Sequence, residues 1–366
     1  MSTSAHKSRT QNPAHNNVAS NTSAPARGRV IFVGTGPGDP DLLTLGAIAA
    51  LADASYVILD TDRQREILAH PAITIAAEAE VATLGLSEAG KPLTPPARAK
   101  VVLKAAATGG RVVRLVSGDP FLDNGVADEA AACVRGGIDF EVVPGVSSLT
   151  AVPEYAGIDL NHGGGVHFAS VLDGKFSKAN THQWGGASTL VVSTCVSMVT
   201  GLVDAALAAG RPADDHVLVT FHGGSTEQTS AATTLSELAA TVKAVKAPAD
   251  EPIHVIMGTA VEQREELSWY ETKPLFGWKV LVPRTKDQAA PMVARLRTYG
   301  AHSDEVPTIS VEPPRSPLQM DKAIRGLVEG RYEWVVFTSV NAVKAVREKF
   351  EEYGLDARAF SGLKVA

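Results

Sequence analysis

IFVGTGPGDPDLL, residues 31–43, is the stretch that decides the fold class. An apolar run enters a loop with three glycines, and a helical pattern follows from Asp39. Asp39 suits a helix cap because its carboxylate accepts hydrogen bonds from free amides, and Pro40 suits the first turn because it lacks an amide hydrogen. The stretch therefore predicts a strand at 29–34, a tight turn and a helix at 39–54, which is the first half of a βαβ unit.

The same alternation of short apolar runs and longer helical patterns continues along the chain. Further strands are predicted at 56–60, 111–116, 140–145, 166–172, 188–194, 216–221, 252–258, 278–284, 305–311, 334–339 and 363–366. Further helices are predicted at 98–109, 125–137, 198–209, 234–245, 288–299, 318–328 and 341–354. This order predicts an α/β protein with mostly parallel sheets.

Composition and texture divide the chain into five segments. Residues 1–29 are rich in Ser, Asn and Ala and carry basic residues but no acid, so we expect a disordered tail. A first lobe is expected at 30–160 and a second lobe at 161–262, where the glycine-rich NHGGG connection marks the boundary. We expect a linker at 263–276 and a third unit at 277–366.

Composition also excludes several classes of function. The net charge of −6 gives no reason to expect a nucleic-acid partner. No run of about 18 apolar residues could span a membrane, and the amino terminus lacks the apolar core of a signal peptide, so we expect a cytoplasmic protein. Cys133 and Cys195 form no framework and the histidines are scattered, so we expect reduced thiols and no metal site.

Three loops of small residues follow three apolar strands. They are GTGPGD at 34–39, SGDPF at 117–121 and PGVSS at 144–148. Ligands of open α/β sheets bind beyond the carboxyl ends of strands, so loops on one such edge would form a backbone cradle. The glycines of the first loop would remove side chains where a ligand lies. Three tight turns without a ligand are the alternative.

Two nucleotide-binding motifs do not fit the first loop. A dinucleotide fold needs a third glycine where Asp39 stands, and a carboxylate there would repel a pyrophosphate. The Gly-Lys-Ser/Thr end of a P-loop is missing from this position. A ligand with a positive or neutral reacting centre fits better.

The loops and their flanking residues carry a family resemblance. GTGPGDPDLLTL (34–45), VVRLVSGDPFL (112–122), FEVVPGVSS (140–148) and EYAGIDL (154–160) resemble the tetrapyrrole methyltransferases, above all the uroporphyrinogen-III C-methyltransferases. The resemblance covers about 29–262. It implies a two-lobed fold with S-adenosylmethionine in the cleft between the lobes, a tetrapyrrole substrate and a homodimer.

The resemblance also implies a set of donor-binding residues. They are Pro37, Ser117, Gly118, Asp119, Leu122, Ser147, Ser148 and Thr194. Ser117 stands where the family has glycine, and Thr194 with Cys195 stands where it has methionine and glycine. The glycine of a later loop in the family falls at Gly223 or Gly224.

Methyl transfer to a pyrrole carbon releases a proton, so a base is needed. The resemblance assigns that role to Asp60, although a helix cap explains this aspartate equally well. Leu86 stands where the family has a lysine, and Lys91 is a possible substitute. The family's Gly-Arg-Gly-Gly run is replaced by DNGVADE at 123–129, in which Glu129 alone matches.

The substrate of these enzymes carries many carboxylates. Arg63, Arg65 and Arg98 are therefore candidate clamps, because guanidinium groups bind carboxylates through paired hydrogen bonds. A solvated surface position is the alternative for each of them.

The third unit resembles the first lobe of uroporphyrinogen-III synthase. VLVPRTKDQ (280–288), VPTISVEPP (306–314) and YEWVVFTSVNAV (332–343) carry this resemblance. It implies part of a flavodoxin-like α/β lobe whose cleft would be lined by Arg284, Thr338, Ser339 and Asn341. An ordinary strand-to-helix cap is the alternative for Ser339. If these 366 residues are the whole protein, we expect no synthase activity, because they hold only one lobe. A piece of a longer fusion protein is the simpler explanation.

The resemblances together predict a fusion enzyme of tetrapyrrole biosynthesis. The methyltransferase would convert uroporphyrinogen III to precorrin-2, on the route to sirohaem and cobalamin, and the synthase portion would make that substrate. A catalytically lapsed binding module attached to the synthase is one alternative. A methyltransferase for another precorrin or for a protein side chain is the other, and turnover and substrate range separate the three.

Overall fold

The computed structural model divides the chain into two compact units. The first unit runs to Trp278 and takes in Leu296–His302, and the second comprises Lys279–Arg295 and Ser303–Ala366. The residues that the structure describes are 28–85, 87, 93–123, 125–172, 176–177, 181–283, 286–306 and 317–366. The predicted tail at 1–29 lies outside these residues up to position 27, and Arg29 is the first residue of a strand.

A five-stranded parallel sheet opens the first unit. Its strands are β1 (Arg29–Gly34), β2 (Tyr56–Leu59), β3 (Glu80–Thr83), β4 (Arg111–Val116) and β5 (Phe140–Val143). They lie in the order β3-β2-β4-β1-β5, and every neighbouring pair is parallel. The carboxyl ends of β4, β1 and β5 are therefore adjacent, which confirms that the three loops share one edge.

Helices cover both faces of this first sheet. They are α1 (Leu45–Ala52), α2 (Gln64–Leu68), α3 (Pro95–Ala106) and α4 (Ala127–Gly136), and a further helix, α5 (Ser148–Tyr155), follows the last strand. One face packs Phe32 and Ile58 against α3 and α4, and the other packs Val33 and Leu59 against α1. Burial on both faces explains the nearly continuous apolar sequence of the strands.

The prediction of one continuous helix at 39–54 is wrong. Asp39 caps only a short 3₁₀ helix, Pro40–Leu42, by accepting from the Asp41 amide. The chain then extends, and α1 begins at Leu45 with Thr44 as its cap, 3.1 Å from the Ala47 amide. Two successive caps end one helical turn and start the next, and periodicity alone could not separate them.

A second five-stranded sheet follows in the first unit. Its strands are β6 (Val166–Ser170), β7 (Thr189–Cys195), β8 (His216–Phe221), β9 (Thr229–Thr234) and β10 (Pro252–Gly258). The order is β6-β7-β10-β8-β9, and only β6 and β7 are parallel, so the prediction of mostly parallel sheets is wrong for this sheet. Helices α6 (Val199–Ala208) and α7 (Leu238–Val245) pack on one face. The other face packs against α5 through Leu149.

Strand β9 and the start of α7 differ from the sequence prediction. The helix predicted from 234 begins at Leu238, and Thr229–Thr234 instead form β9, which pairs with β8 over its whole length. TSAATT has no apolar alternation, so the neighbouring strand edge rather than local pattern makes it a strand.

The predicted linker at 263–276 is packed over much of its length. Arg264–Leu267 forms the short helix α8. Tyr270 is buried against Tyr155, with ring centroids 4.6 Å apart. Glu271 accepts hydrogen bonds from Gln228 and Ser230 at 2.8 and 2.6 Å. This segment therefore belongs to the first unit.

The second unit has shorter strands. β11 (Lys279–Val282) pairs with β12 (His302–Glu305), and β13 (Trp334–Val335) pairs in parallel with β14 (Lys364–Val365). The helices are α9 (Lys286–Thr298), α10 (Pro317–Val328) and α11 (Val340–Glu352). Ile324, Leu327 and Phe350 form its core. The strand predicted at 334–339 is shorter in the structure, Trp334–Val335, and residues 307–311 of the strand predicted at 305–311 lie outside the described residues.

Candidate functional site

The three loops at the carboxyl edge of the first sheet bond directly to one another. The Gly36 amide donates to the Gly118 carbonyl at 3.3 Å, and the Gly118 amide donates back at 2.7 Å. The Gly145 amide donates to Asp119 Oδ2 at 3.3 Å. The loops therefore form one backbone assembly rather than three independent turns.

Close backbone approach explains two of the loop glycines. A Cβ on Gly34 would lie 2.5 Å from the Gly145 nitrogen and 2.6 Å from the Gly118 oxygen. A Cβ on Gly145 would lie 2.5 Å from the same oxygen. This corrects the sequence interpretation of Gly34, whose missing side chain makes room for the neighbouring loops rather than for a ligand. Gly36 differs, because its φ of +76° itself favours glycine.

The Asp119 side chain shapes the second loop. Its Oδ1 accepts from the amides of Phe121 and Leu122, each at 3.0 Å. This turn holds the Leu122 side chain half-exposed. The loop therefore combines a fixed backbone with an accessible apolar side chain.

Both serines of the third loop are engaged inside the protein. Ser147 caps α5 at 3.1 Å from the Leu149 amide. Ser148 donates to Asp123 Oδ1 at 2.8 Å, and His254 Nε2 lies 2.8 Å from the same hydroxyl oxygen. Burial raises the pKa of Asp123, although hydrogen bonds from Asp119 and both serines oppose this. The Ser148 hydroxyl is thus part of an internal chain.

Asp60 lies on the same edge, at the end of β2. It accepts from the Ser117 amide at 3.2 Å and pairs with the guanidinium of Arg114. Arg114 is fully buried and also holds the fully buried Glu129, with 3.2 Å between Nε and Oε2. Burial alone would lower the pKa of Arg114, but the two carboxylates outweigh it and raise that pKa. Asp60 therefore belongs to a buried charge network.

Gln64 connects Asp60 to two of the loops. This side chain is buried, and its Oε1 accepts from the Asp60 amide at 2.7 Å. Its Nε2 lies 3.4 Å from both Thr35 Oγ1 and Ser117 Oγ. The carboxylate and the loops are therefore held in one frame.

The second sheet contributes the opposite wall of the site. The turn at 222–225 begins at His222, which has a φ of +50°. A Cβ on Gly224 would lie 2.8 Å from Pro37 Cγ, so this turn touches the first loop. Thr194 is fully buried and donates to the Val171 carbonyl at 2.8 Å. Pro37 therefore lies where the walls meet, whereas the Thr194 hydroxyl is used within the second sheet.

A charged cluster joins the two walls. His222 Nδ1 lies 2.9 Å from Glu251 Oε1, and the Arg63 guanidinium contacts both groups. Burial and the Arg63 charge lower the pKa of His222, with Glu251 opposing them. Arg63 remains more than half exposed, whereas Arg98 is turned onto Glu129 at 2.9 Å. Of Arg63 and Arg98, Arg63 therefore has the more exposed side chain.

Comparison with known proteins identifies the family. Residues 29–239, more than half of the chain, match the family model described as Tetrapyrrole (Corrin/Porphyrin) Methylases. The chain belongs to the tetrapyrrole methylase family. Residues 290–366 match the model described as Uroporphyrinogen-III synthase HemD. The chain thus joins a tetrapyrrole methylase to a HemD-type segment, which confirms the two resemblances.

Curated relatives of this methylase match different lengths of the chain. The porphyrin biosynthesis protein HemD of Ruminiclostridium josui is 28% identical over 344 residues, which are 92% of this chain and 67% of the relative. The siroheme synthase of Thiobacillus denitrificans is 31% identical over 253 residues, 67% of this chain and 51% of the relative. The chain therefore spans about two thirds of the first relative and about half of the second.

Solved structures agree with the methylase fold. A uroporphyrin-III C-methyl transferase from Thermus thermophilus, complexed with S-adenyl homocysteine, aligns with a TM-score of 0.51 at 27% identity. The alignment covers 64% of this chain and 99% of that chain. A cobalt precorrin-4 methyltransferase aligns with the same TM-score at 20% identity, over 64% of this chain and 95% of that chain, which shows the fold alone.

The residues predicted for the HemD-type segment lie around the start of α11. Ser339 caps this helix, 3.2 Å from the Ala342 amide, so the capping interpretation is confirmed. Thr338 is exposed and Asn341 is half-buried beside it. Arg284 lies outside the described residues, as do Leu86 and Lys91 of the methylase.

Two classes of feature are absent from the described part of the chain. No group of three or more His, Cys, Asp or Glu side chains there could hold a metal ion. None of the helices in those same ranges is long and apolar enough to cross a membrane.

Sequence reasoning missed four buried polar residues of the methylase site: Gln64, Arg114, Asp123 and His254. The signal for two of them was a polar residue inside an apolar strand, in RVVRLV and PIHVIMG. A charged residue is rarely buried without a partner, so such positions indicate an internal network. Asp123 lies in the segment that departs from the family pattern.

Proposed function

We propose that the chain is an S-adenosylmethionine-dependent C-methyltransferase that converts uroporphyrinogen III to precorrin-2, fused to part of a uroporphyrinogen-III synthase. The observation that carries the proposal is the three-loop assembly facing the turn at 222–225. The methyl transferase from Thermus thermophilus, crystallised with S-adenyl homocysteine, supports it through 27% identity over nearly all of its length.

The residues of the assembly suit a donor of this kind. S-adenosylmethionine supplies an electrophilic methyl group on a positively charged sulfur. The backbone at Gly36 and Gly118 is held by mutual hydrogen bonds, so its shape is set before a ligand arrives. Leu122 offers an accessible apolar surface for an adenine or ribose face, and Pro37 lines the junction of the two walls.

Asp60 is our proposed base. When a pyrrole carbon attacks a methyl group, positive charge develops on the ring and a proton must then leave. A carboxylate on the loop edge stabilises that charge and accepts the proton directly or through water. Its bonds to Arg114 and Ser117 hold one orientation, and its side chain remains 19% exposed toward solvent.

We further propose Arg63 as a contact for substrate carboxylates. Its side chain is more than half exposed, and its guanidinium lies between the two walls beside His222. Arg65 is paired with Asp62 at 3.0 Å on the surface. The homodimer implied by the family resemblance stays part of the proposal, as do the synthase roles of Thr338 and Asn341, with Ser339 serving as the cap of the helix beside them.

A second candidate function is a lapsed methyltransferase fold that binds without turnover. Thr194 favours it, because the family resemblance predicts a methionine facing the donor there and this chain buries a hydroxyl group within the second sheet instead. Donor binding without methyl transfer would distinguish this function.

The test is calorimetric titration with S-adenosylmethionine, followed by uroporphyrinogen III and a mass spectrum of the product. We expect binding and a gain of one or two methyl groups. Asp60→Asn should lower turnover by about 10²–10⁴-fold, because a general base contributes that much, while sparing donor binding. Asp53→Asn is the matched control, since Asp53 forms an exposed pair with Arg111 in the same lobe. Binding without mass gain supports the lapsed fold, and no binding overturns the donor site.

A further inference from the structure

A row of polar residues crosses one face of the second sheet. The strand registers place Ser170 beside Ser193, Ser193 beside His254, His254 beside Thr220, and Thr220 beside Ser230. The row thus contains one residue from each of the five strands. It lies on the face that carries Ile256, which packs against α5 and the first lobe. Polar groups at such a buried contact require partners, because desolvation without a hydrogen bond is costly.

Two members of the polar row bond to the loops of the first sheet. Ser170 Oγ donates to the backbone carbonyl of Asp123 at 2.6 Å. His254 Nε2 lies 2.8 Å from Ser148 Oγ. The other end of the row bonds elsewhere, because Thr220 lies 3.0 Å from Ser230 Oγ within the sheet and Ser230 donates to Glu271 Oε1 at 2.6 Å. One end of the polar row therefore bonds to the loops of the first sheet, and the other end does not.

The chemistry of the chain fixes the direction of its hydrogen bonds. Burial lowers the pKa of His254 to about 4, so the ring is neutral at pH 7 and carries one N–H. Ser148 donates its own hydrogen to Asp123 Oδ1. Its oxygen must then accept from His254, which places the ring hydrogen on Nε2. The bonds therefore run from the second sheet to the Asp123 carboxylate.

Asp123 also bonds to the second and third loops. Its Oδ2 accepts from the Asp119 amide at 2.5 Å and from the Ser148 amide at 3.3 Å. A Cβ on Gly118 would lie only 2.3 Å from the same oxygen, so the carboxylate fills the space directly beneath Gly118. A displacement of Asp123 therefore moves the backbone that we propose to hold the methyl donor.

We propose that His254, with Ser170, is a positioning residue for the donor loops and acts through Ser148 and Asp123. The identity of the ligand rests on the proposed function, whereas the ordering of the loops does not. The inference gives a role to Asp123, the first residue of the segment that departs from the family pattern. This chain uses the Asp123 carboxylate and carbonyl to tie the donor loops to the second sheet.

The first test compares three variants by titration with S-adenosylmethionine. His254→Leu should weaken binding about tenfold, because it leaves the Ser148 oxygen without its donor. His254→Gln keeps a donor at this place and should restore affinity to within about threefold of the wild type. Thr220→Val is the matched control, a buried member of the same row that should lower the melting temperature without changing affinity. Equal losses in His254→Leu and Thr220→Val, or no rescue by glutamine, would overturn the proposal.

The second test needs no donor. Hydrogen exchange of the unliganded protein should become faster at the amides of Asp119, Gly145 and Ser148 in His254→Leu and in Ser170→Ala, and stay unchanged there in Thr220→Val. Unchanged exchange in the His254 and Ser170 variants would overturn the positioning role. If the wild type binds no S-adenosylmethionine, the proposed function fails, and exchange still decides the role of His254.

Discussion

At the scale of single residues, the methylase site depends on buried polar groups. Arg114 is buried between Asp60 and Glu129, and Glu129 also holds Arg98. A buried ion pair adds little net stability, but removal of one partner lowers the free energy of unfolding strongly. The remaining charge is then left unpaired in a medium of low dielectric constant. Arg114 is recognisable in the sequence as a charged residue within an apolar strand. Its partners, at positions 60 and 129, are not recognisable there.

Arg114→Leu should lower the free energy of unfolding by about 3–5 kcal/mol, because it leaves Glu129 buried with one cation fewer. Arg111→Leu on the same strand is the control and should cost at most about 1 kcal/mol, since its pair with Asp53 is exposed. Urea denaturation of both variants measures the difference. The double change Arg114→Leu with Glu129→Leu should recover part of the loss, and similar costs for the two single changes would contradict the buried network.

His254 should make the stability of the protein depend on pH. Its pKa falls from 6.5 in the unfolded chain to about 4 in the folded one, so the unfolded state binds more protons between these values. The stabilisation is therefore present above pH 6.5 and is lost as the pH falls toward 4. Between pH 7 and 5 the wild type should lose about 2 kcal/mol more than His254→Gln, which has no proton to bind at this position. Urea denaturation at both pH values checks this, and parallel profiles would contradict it.

At the scale of elements, the loops after β1, β4 and β5 act as one unit. The glycines of the first loop were predicted as space for a ligand, but the structure shows that Gly34 instead permits contact between backbones, as Gly145 of the third loop does. The local sequence predicts a tight turn, but it does not show which other part of the chain packs against that turn. The strand order decides that, because it places β4 and β5 on either side of β1.

Gly34→Ala should destabilise the first unit by about 2 kcal/mol or more, as overpacking of rigid groups does. The φ of Gly34 is outside the left-handed region, so the effect is steric, with a Cβ 2.5 Å from the Gly145 nitrogen. Gly165→Ala is the control, because a Cβ there meets nothing within 4 Å. Thermal melting and donor titration of both variants measure the effect. A tolerated Gly34→Ala would show that the loops can move apart.

At the scale of the whole molecule, the two units differ in how much regular structure they contain. The first has two sheets of five strands each, whereas the second has two pairs of strands among its described residues. Two-stranded sheets are marginal by themselves and depend on helix packing. The core of the second unit contains Ile324, Leu327 and Phe350, which lie on its helices.

We expect two thermal transitions, with the second unit unfolding first. Leu327→Ala should lower only the first transition, and Leu202→Ala, at a fully buried position of the first unit, only the second. S-adenosylmethionine at 100 times its Kd should stabilise the first unit by about 2.7 kcal/mol and leave the other transition unchanged. Scanning calorimetry measures all three effects. A single transition shifted by both substitutions would contradict independent unfolding.

The amino-acid sequence was enough to predict the α/β class, most strands of both large sheets, the shared edge of the three loops and the family. These features follow from local periodicity and from short motifs whose spacing is visible in the chain. The internal partners of Asp60, the packing reason for Gly34 and the hydrogen bonds from His254 through Ser148 to Asp123 are visible only in the folded protein. These contacts join residues 25 to 106 or more positions apart, and they depend on strand order and register, which leave no pattern in the local sequence.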